Sequence, residues 1–153
     1  MKKEVEKLLQ YVQKPARYIG GELNAVVKDK DKIDIRYAFC FPDTYEIGMS
    51  HLGMKILYGL VNDREDSWCE RVFAPDNDME EQLRKNNVPL FALESGDYIK
   101  DFDMIGFTLQ YELSYTNVLN MLNLAQIPLK SSDRENLTPL ICVGGPCACN
   151  PEP

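Results

Sequence analysis

The chain has 153 residues, 44% of them hydrophobic and 27% charged, and a formal net charge of −7. That is the size of one ordinary globular domain, able to bury a core without disulfide or metal staples. The acidic balance argues against a general nucleic-acid surface, which needs clustered Lys and Arg.

Residues 3–13 predict a short helix. Val5, Leu8, Leu9 and Val12 recur at helical spacing with Lys and Glu between them, and Pro15 ends it. This charged, amphipathic start lacks the apolar stretch of a signal peptide, and no apolar run approaches the roughly 20 residues of a membrane span. With five cysteines, an odd count, the chain reads as cytoplasmic and from a reducing compartment. Gly20-Gly21 and the polar run after it predict an irregular leader lying across the domain. The organisation expected is therefore a helix and leader over 1–32 and one domain over 33–153.

Ile33–Phe41 (IDIRYAFCF) is the first strong strand, closed by Pro42-Asp43. A helix is predicted from about Ser50 to Asn62, with Leu52, Ile56, Leu57, Leu60 and Val61 as its buried stripe. Glu70–Phe73 predicts a short strand, ended by Ala74-Pro75. Asp76 or Asp78 then caps a helix through MEEQLRKNN. Leu90–Leu93 is a candidate extra strand and Met104–Leu109 a buried one. Ser114–Gln126 predicts a helix carrying Val118, Leu119, Leu122 and Ala125. Pro139–Val143 is the last strand, running into Gly144-Gly145-Pro146.

Strand–helix alternation implies a mainly parallel sheet with helices on both faces: an α/β, three-layer Rossmann-like domain of flavodoxin-like order. A five-stranded sheet needs one more helix and strand, so the domain is expected to be incomplete at its C-terminus. Ligands of such sheets sit beyond the carboxyl ends of the strands. Three segments fall there: Pro42–Gly53, Thr108–Ser114 and Gly144–Pro146. Glycines at such turns admit close backbone approach, and helix N-termini offer free N–H groups to anions. The same small residues also serve any doubly wound domain merely as turns.

Cobalamin-binding domains carry D-x-H-x-x-G after the first strand, S-x-L after the third and G-G after the fourth. This chain has D-T-Y-E-I-G at Asp43–Gly48, T-L-Q at Thr108–Gln110 and G-G at Gly144–Gly145. Together with RYIGGELN (Arg17–Asn24), FPDTYEIGMSHLG (Phe41–Gly53), ERVFAPDNDME (Glu70–Glu80), GFTLQYELSYTNVLNML (Gly106–Leu122) and VGGPCACNPEP (Val143–Pro153), it resembles radical S-adenosylmethionine (SAM) proteins that begin with a cobalamin-binding-like domain. The resemblance implies a corrinoid contacted by Asp43, Tyr45, Gly48, His51, Gly53, Thr108, Gln110, Tyr111, Ser114, Gly144 and Gly145. It implies a downstream radical SAM domain of the same polypeptide as partner, carrying the [4Fe-4S] cluster and SAM. It implies no direct nucleic-acid binding by this segment and no catalysis by it alone.

Tyr45 stands where histidine-ligated cobalamin proteins have their histidine. A neutral phenol is a poor cobalt ligand at pH 7, so a corrinoid here is expected without protein histidine ligation. The single histidine, His51, reads either as an alternative cobalt or phosphate contact or as a helix-start residue with a local hydrogen bond. Cys142, Cys147 and Cys149 are spaced C-x4-C-x-C, which fits neither the C-x3-C-x2-C of radical SAM clusters nor C-x2-C zinc sites. Cys40 and Cys142 read as small core hydrophobes. Gln110, Tyr111, Tyr115 and Asn117 offer polar tips either to a corrin rim or to a neighbouring domain. The rival reading is a cofactor-free docking domain of the same protein. A free-standing nucleotide binder ranks last, since neither G-x-x-x-x-G-K-[ST] nor G-x-G-x-x-G is present.

Overall fold

The computed structural model describes residues 2–150. Strands β1 (Ile35–Phe41), β2 (Ser67–Phe73), β3 (Met104–Thr108) and β4 (Leu140–Gly144) pair in parallel in the order β2-β1-β3-β4. This is the flavodoxin-like order the alternation predicts, with helices flanking the sheet. Chain direction across the sheet reverses between β1 and β3, which opens a crevice there at the carboxyl end.

The pleat sends alternate residues to opposite faces. Ala38, Cys40, Val72, Ile105 and Phe107 join one core with Val5 and Leu8 of α1 (Lys3–Leu8), Met79 and Leu83 of α4 (Asn77–Asn86), and Met121 and Leu122 of α5 (Tyr115–Leu124). Phe39, Phe41 and Cys69 pack on the other face against Met54 and Tyr58 of α3 (Leu52–Asn62), which follows the short α2 (Tyr45–Ser50). The helix ends obey local chemistry. α4 starts after Asp76, carries Asp78 and Glu80 in its first turn and Arg84 and Lys85 in its last, and stops where Asn87 turns left-handed at φ 53°. The backbone N–H of Val88 then closes the turn on Leu83 O at 2.9 Å.

Several sequence expectations need correction. The N-terminal helix is α-helical only to Leu8 and continues as a 3-10 turn over Leu9–Tyr11. The second strand begins three residues earlier than expected, at Ser67. Leu90–Leu93 forms no strand, only a single antiparallel bridge between Phe91 and Tyr98. The helix expected from about Ser50 to Asn62 runs over Leu52–Asn62, and a separate short helix over Tyr45–Ser50, not foreseen, precedes it with His51 between the two.

The largest correction concerns the buried stripe of that helix. Leu52, Ile56, Leu57 and Leu60 are 50–69% exposed, while Met54, Tyr58 and Asn62 are buried. Both stripes have helical spacing, so period alone does not choose between them. Hydrogen bonding does. The Asn62 side chain donates to Cys69 O at 3.0 Å and accepts from Cys69 N at 2.9 Å, satisfying the edge strand β2. The Tyr58 hydroxyl accepts from Val26 N at 2.7 Å.

The leader crosses the β2 side of the domain as a strap. Trp68 Nε1 donates to Val26 O at 2.9 Å, and Lys28 Nζ reaches the carbonyls of Asn62, Arg64 and Ser67 at 2.5–2.7 Å. Those carbonyls include the C-terminal one of α3, where a cation is favoured.

Gly106 is set by packing. A Cβ there would lie 1.8 Å from the Tyr37 hydroxyl oxygen, so the neighbouring strand's ring occupies that space. Gly106→Ala is expected to lower stability by about 1–3 kcal/mol through overpacking. Tyr37→Phe, which removes the nearest atom, should recover part of that loss. Denaturant titration of the two single variants and the double variant measures the coupling. Strictly additive losses would contradict the assignment.

Candidate functional site

Each of the three candidate loops follows a parallel strand, so all three leave the sheet at the same end, and the structure ties them together. The Asn117 amide donates to Pro42 O at 2.8 Å, joining α5 to the loop after β1. The Tyr111 hydroxyl donates to the Asp43 carboxylate across the same gap. On the other side, Leu109 N donates to Gly144 O at 2.7 Å, and Cys147 N to Leu109 O at 3.3 Å. The Tyr115 hydroxyl lies 2.9 Å from Cys147 O and 2.7 Å from Asn150 O. The loop after β3 is thus the middle member of a clamped set.

Within that set, Gly145 has φ 99°, and a Cβ there would sit 2.4 Å from Leu109 O. Only glycine lets the two loops approach so closely. Gly144 is exposed, with nothing within 4 Å of where its Cβ would be. The exposed pair forms an open backbone ledge. Thr108 and Gln110 stand beside it, half-buried, the amide of Gln110 donating to Thr108 Oγ1 at 2.6 Å. Ser114 is buried at the start of α5, behind Tyr111.

The remaining candidates point elsewhere. Gly48 lies beneath Phe73 and Phe41, and a Cβ there would be 2.3 Å from the Phe73 ring. A Cβ at Gly53 would meet the His51 ring at 3.0 Å. Packing explains both glycines. Tyr45 turns toward the leader: its hydroxyl donates to Glu22 at 3.0 Å and its ring meets the Phe73 ring edge-on at 5.4 Å. Burial, with the Glu22 carboxylate next to the hydroxyl, holds the phenol above its ordinary range.

His51 is the N-cap of α3. Its Nδ1 accepts from Met54 N at 3.1 Å, and its ring tilts against Phe41 at 5.2 Å. A neutral imidazole accepting at Nδ1 carries its proton on Nε2, so neither nitrogen keeps a free lone pair for a metal. Among the described residues, no group of three or more His, Cys, Asp or Glu is placed to hold a metal ion.

Sequence reading missed the buried ion network behind Tyr45. Arg71 donates to Glu94 at 2.6 Å and to Glu22 at 2.9 Å, lies over the Tyr58 ring at 4.8 Å, and contacts Met49 Sδ at 3.2 Å. The Glu94 side chain is fully buried, and burial pushes its carboxyl up against the pull of Arg71. The available signal was the charged pair Glu70-Arg71 inside an otherwise apolar strand of a parallel sheet, where charge is unusual. An open polar cleft of about 780 Å³ also lies at this end of the sheet, lined by Lys14, Arg17, Asp43, Asp76, Glu80 and Asn117 among others. Of the side chains singled out in the sequence as ligand contacts, Asp43 and Asn117 line it.

If His51 serves as a cap, His51→Ala should lower stability by about 1 kcal/mol, and His51→Ser, whose oxygen can cap the same N–H, should recover most of it. Thermal or urea unfolding of both variants decides this. Equal loss in both would point to a different role for the ring.

Residues 53–153 match a family described as the N-terminal part of radical SAM proteins. An uncharacterised protein of Methanocaldococcus jannaschii is 27% identical over 110 residues, which is 72% of this chain and 19% of that protein. The chain thus spans about a fifth of this relative's length. No solved structure matches. With the parallel sheet and its clamped carboxyl-end loops, the match over most of the chain shows that it belongs to the family of N-terminal regions of radical SAM proteins.

Proposed function

We propose that this chain is the corrinoid-holding accessory part of a longer radical SAM protein, seating the cofactor against a downstream domain that carries the iron–sulfur cluster and SAM. The observation that carries this reading is the ledge at Gly144–Gly145 beside Thr108 and Gln110, one strand along from the switch point that the Asp43–Tyr111 pair spans, in a sheet of a radical SAM family. A flat, amide-rimmed ligand suits such a place: glycine backbone for close approach, side-chain amide and hydroxyls for the rim. The donor set fits a corrinoid held by its edge. It does not fit a corrinoid anchored through histidine, because Tyr45 faces Glu22 and His51 caps a helix. A bound corrinoid would supply a cobalt centre for methyl or one-electron chemistry.

The chain's own contribution is positional. Tyr111 and Asn117 hold the loop after β1 in place, and Leu109 and Tyr115 hold the loop after β4. The cluster chemistry belongs to the downstream part, since Cys142, Cys147 and Cys149 lack the C-x3-C-x2-C spacing.

The second reading, a cofactor-free docking domain of the same protein, draws support from the polar tips bonding one another: Gln110 to Thr108 and Tyr111 to Asp43. Binding separates the two. The protein is purified with the sequence its gene encodes after residue 153, mixed with hydroxocobalamin and desalted. It should retain a visible corrinoid spectrum. Tyr45→Phe should leave affinity unchanged. Gly145→Ala, which forces a side chain into left-handed backbone against Leu109, should weaken binding about ten-fold. No retained corrinoid would favour the docking reading.

A further inference from the structure

A second cavity lies between α3, α2, the leader and β2. Its volume is about 380 Å³, within the roughly 300–1,000 Å³ of small-molecule sites. The walls are mostly apolar: Val26 of the leader, Met49 of α2, and Met54 and Tyr58 of α3. Arg71, whose side chain is only 8% exposed, lines the inner end. The cavity stands apart from the Gly144–Gly145 ledge. Arg71 belongs to β2 and the ledge follows β4, and these strands form opposite edges of the described sheet.

Three features of this cavity have no explanation within the chain itself. Gly59 sits in the interior of α3, where glycine is less stable than alanine. Packing does not require it, because nothing lies within 4 Å of the position its Cβ would take. Gly48, on the same cavity, differs in having the Phe73 ring in that place. The missing side chain at Gly59 therefore serves to keep the wall open. The second feature is the guanidinium. Nε of Arg71 donates to Glu94 and Nη2 to Glu22, but among the described residues Nη1 meets only the Met49 sulfur, at 3.2 Å. A thioether is a weak acceptor, and a buried charged donor calls for a stronger one. The third is Leu23, an apolar lining residue left 99% exposed.

We propose that this cavity binds a small neutral molecule with an apolar body and one carbonyl-type acceptor, the acceptor taking an N–H of Arg71 Nη1. Charge selects a neutral head. Arg71 already faces two carboxylates, Glu22 and Glu94, so a third would meet repulsion from both. Lys55, the other cation lining the cavity, is exposed and screened by water. The body of the ligand lies along Met54, Tyr58 and the bare backbone of Gly59, and gives Leu23 an apolar partner. This site is independent of the corrinoid reading.

The probe is prodan, a neutral naphthalene ketone whose emission moves to the blue in apolar surroundings. Titrated into the longer protein, it should bind saturably with a blue shift. Gly59→Leu fills the cavity while improving the helix, so affinity should fall about ten-fold or more with no lower unfolding temperature. Leu23→Ser, at a position bare of contacts, should weaken binding about three-fold and leave stability unchanged. Acetylnaphthalene should displace prodan about ten-fold better than isopropylnaphthalene, which has the same shape and no acceptor. It should also outcompete naphthoate, which is anionic. Hydroxocobalamin should not displace the probe. Absence of binding, or unchanged affinity in either variant, would overturn the proposal. Equal displacement by the hydrocarbon would take Arg71 out of the site, and stronger displacement by naphthoate would assign an anion; each overturns the stated chemistry. Displacement by hydroxocobalamin would put the probe on the ledge and equally overturn it.

Discussion

A buried guanidinium organises this domain. Arg71 projects from the edge strand β2 beneath the leader and meets two carboxylates that are distant in sequence, Glu22 and Glu94. Taking such charges out of water costs several kcal/mol per ion, and only good geometry with further hydrogen bonds offsets it. The geometry is met. Glu94 accepts from both the side chain and the backbone N–H of Arg71, at 2.6 and 2.7 Å, and Tyr58 lends its ring face. The same contacts close the open edge of β2, because Leu93 N donates to Arg71 O at 2.8 Å. An edge that could pair with another chain is thereby covered.

The consequences reach the carboxyl end of the sheet. Glu22, held by Arg71, accepts from the Tyr45 hydroxyl and draws that ring toward the leader. Tyr45 thus belongs to the structural network, although its position in D-T-Y-E-I-G is that of a ligand in related motifs. His51, two turns later, is committed to starting α3. What stays open to a ligand is the other half of the edge, where Gly144 and Gly145 expose backbone and Thr108, Gln110 and Tyr111 gather. The side chains of the first loop are thus spent on internal contacts, while the backbone after the last strand stays exposed.

Much of the fold was legible because its signals are local. The apolar runs at Ile33–Phe41 and Met104–Leu109, the Pro and Gly punctuation after them, and the strand–helix alternation lead directly to a parallel sheet of this order. Convergence of the three loops followed from topology. The illegible parts depend on distant partners. Choosing between the two apolar stripes of α3 required knowing that Asn62 caps the backbone of Cys69 and that Tyr58 meets Val26. The orientation of Tyr45 required Glu22 and Arg71, separated from it by 23 and 26 positions. Gly48 and Gly53 look like ligand-approach glycines in the motif, yet packing against Phe73 and His51 accounts for them.

Electron paramagnetic resonance of cob(II)alamin bound to the longer protein, prepared once at natural abundance and once with 15N-labelled histidine, tests the account most directly. The cofactor's own nitrogens are the same in both samples, so any difference in nitrogen splitting must come from a protein imidazole on cobalt. With Tyr45 held by Glu22 and His51 capping α3, the two spectra should be identical. A splitting that changes with the label, and is lost in His51→Ala, would contradict it.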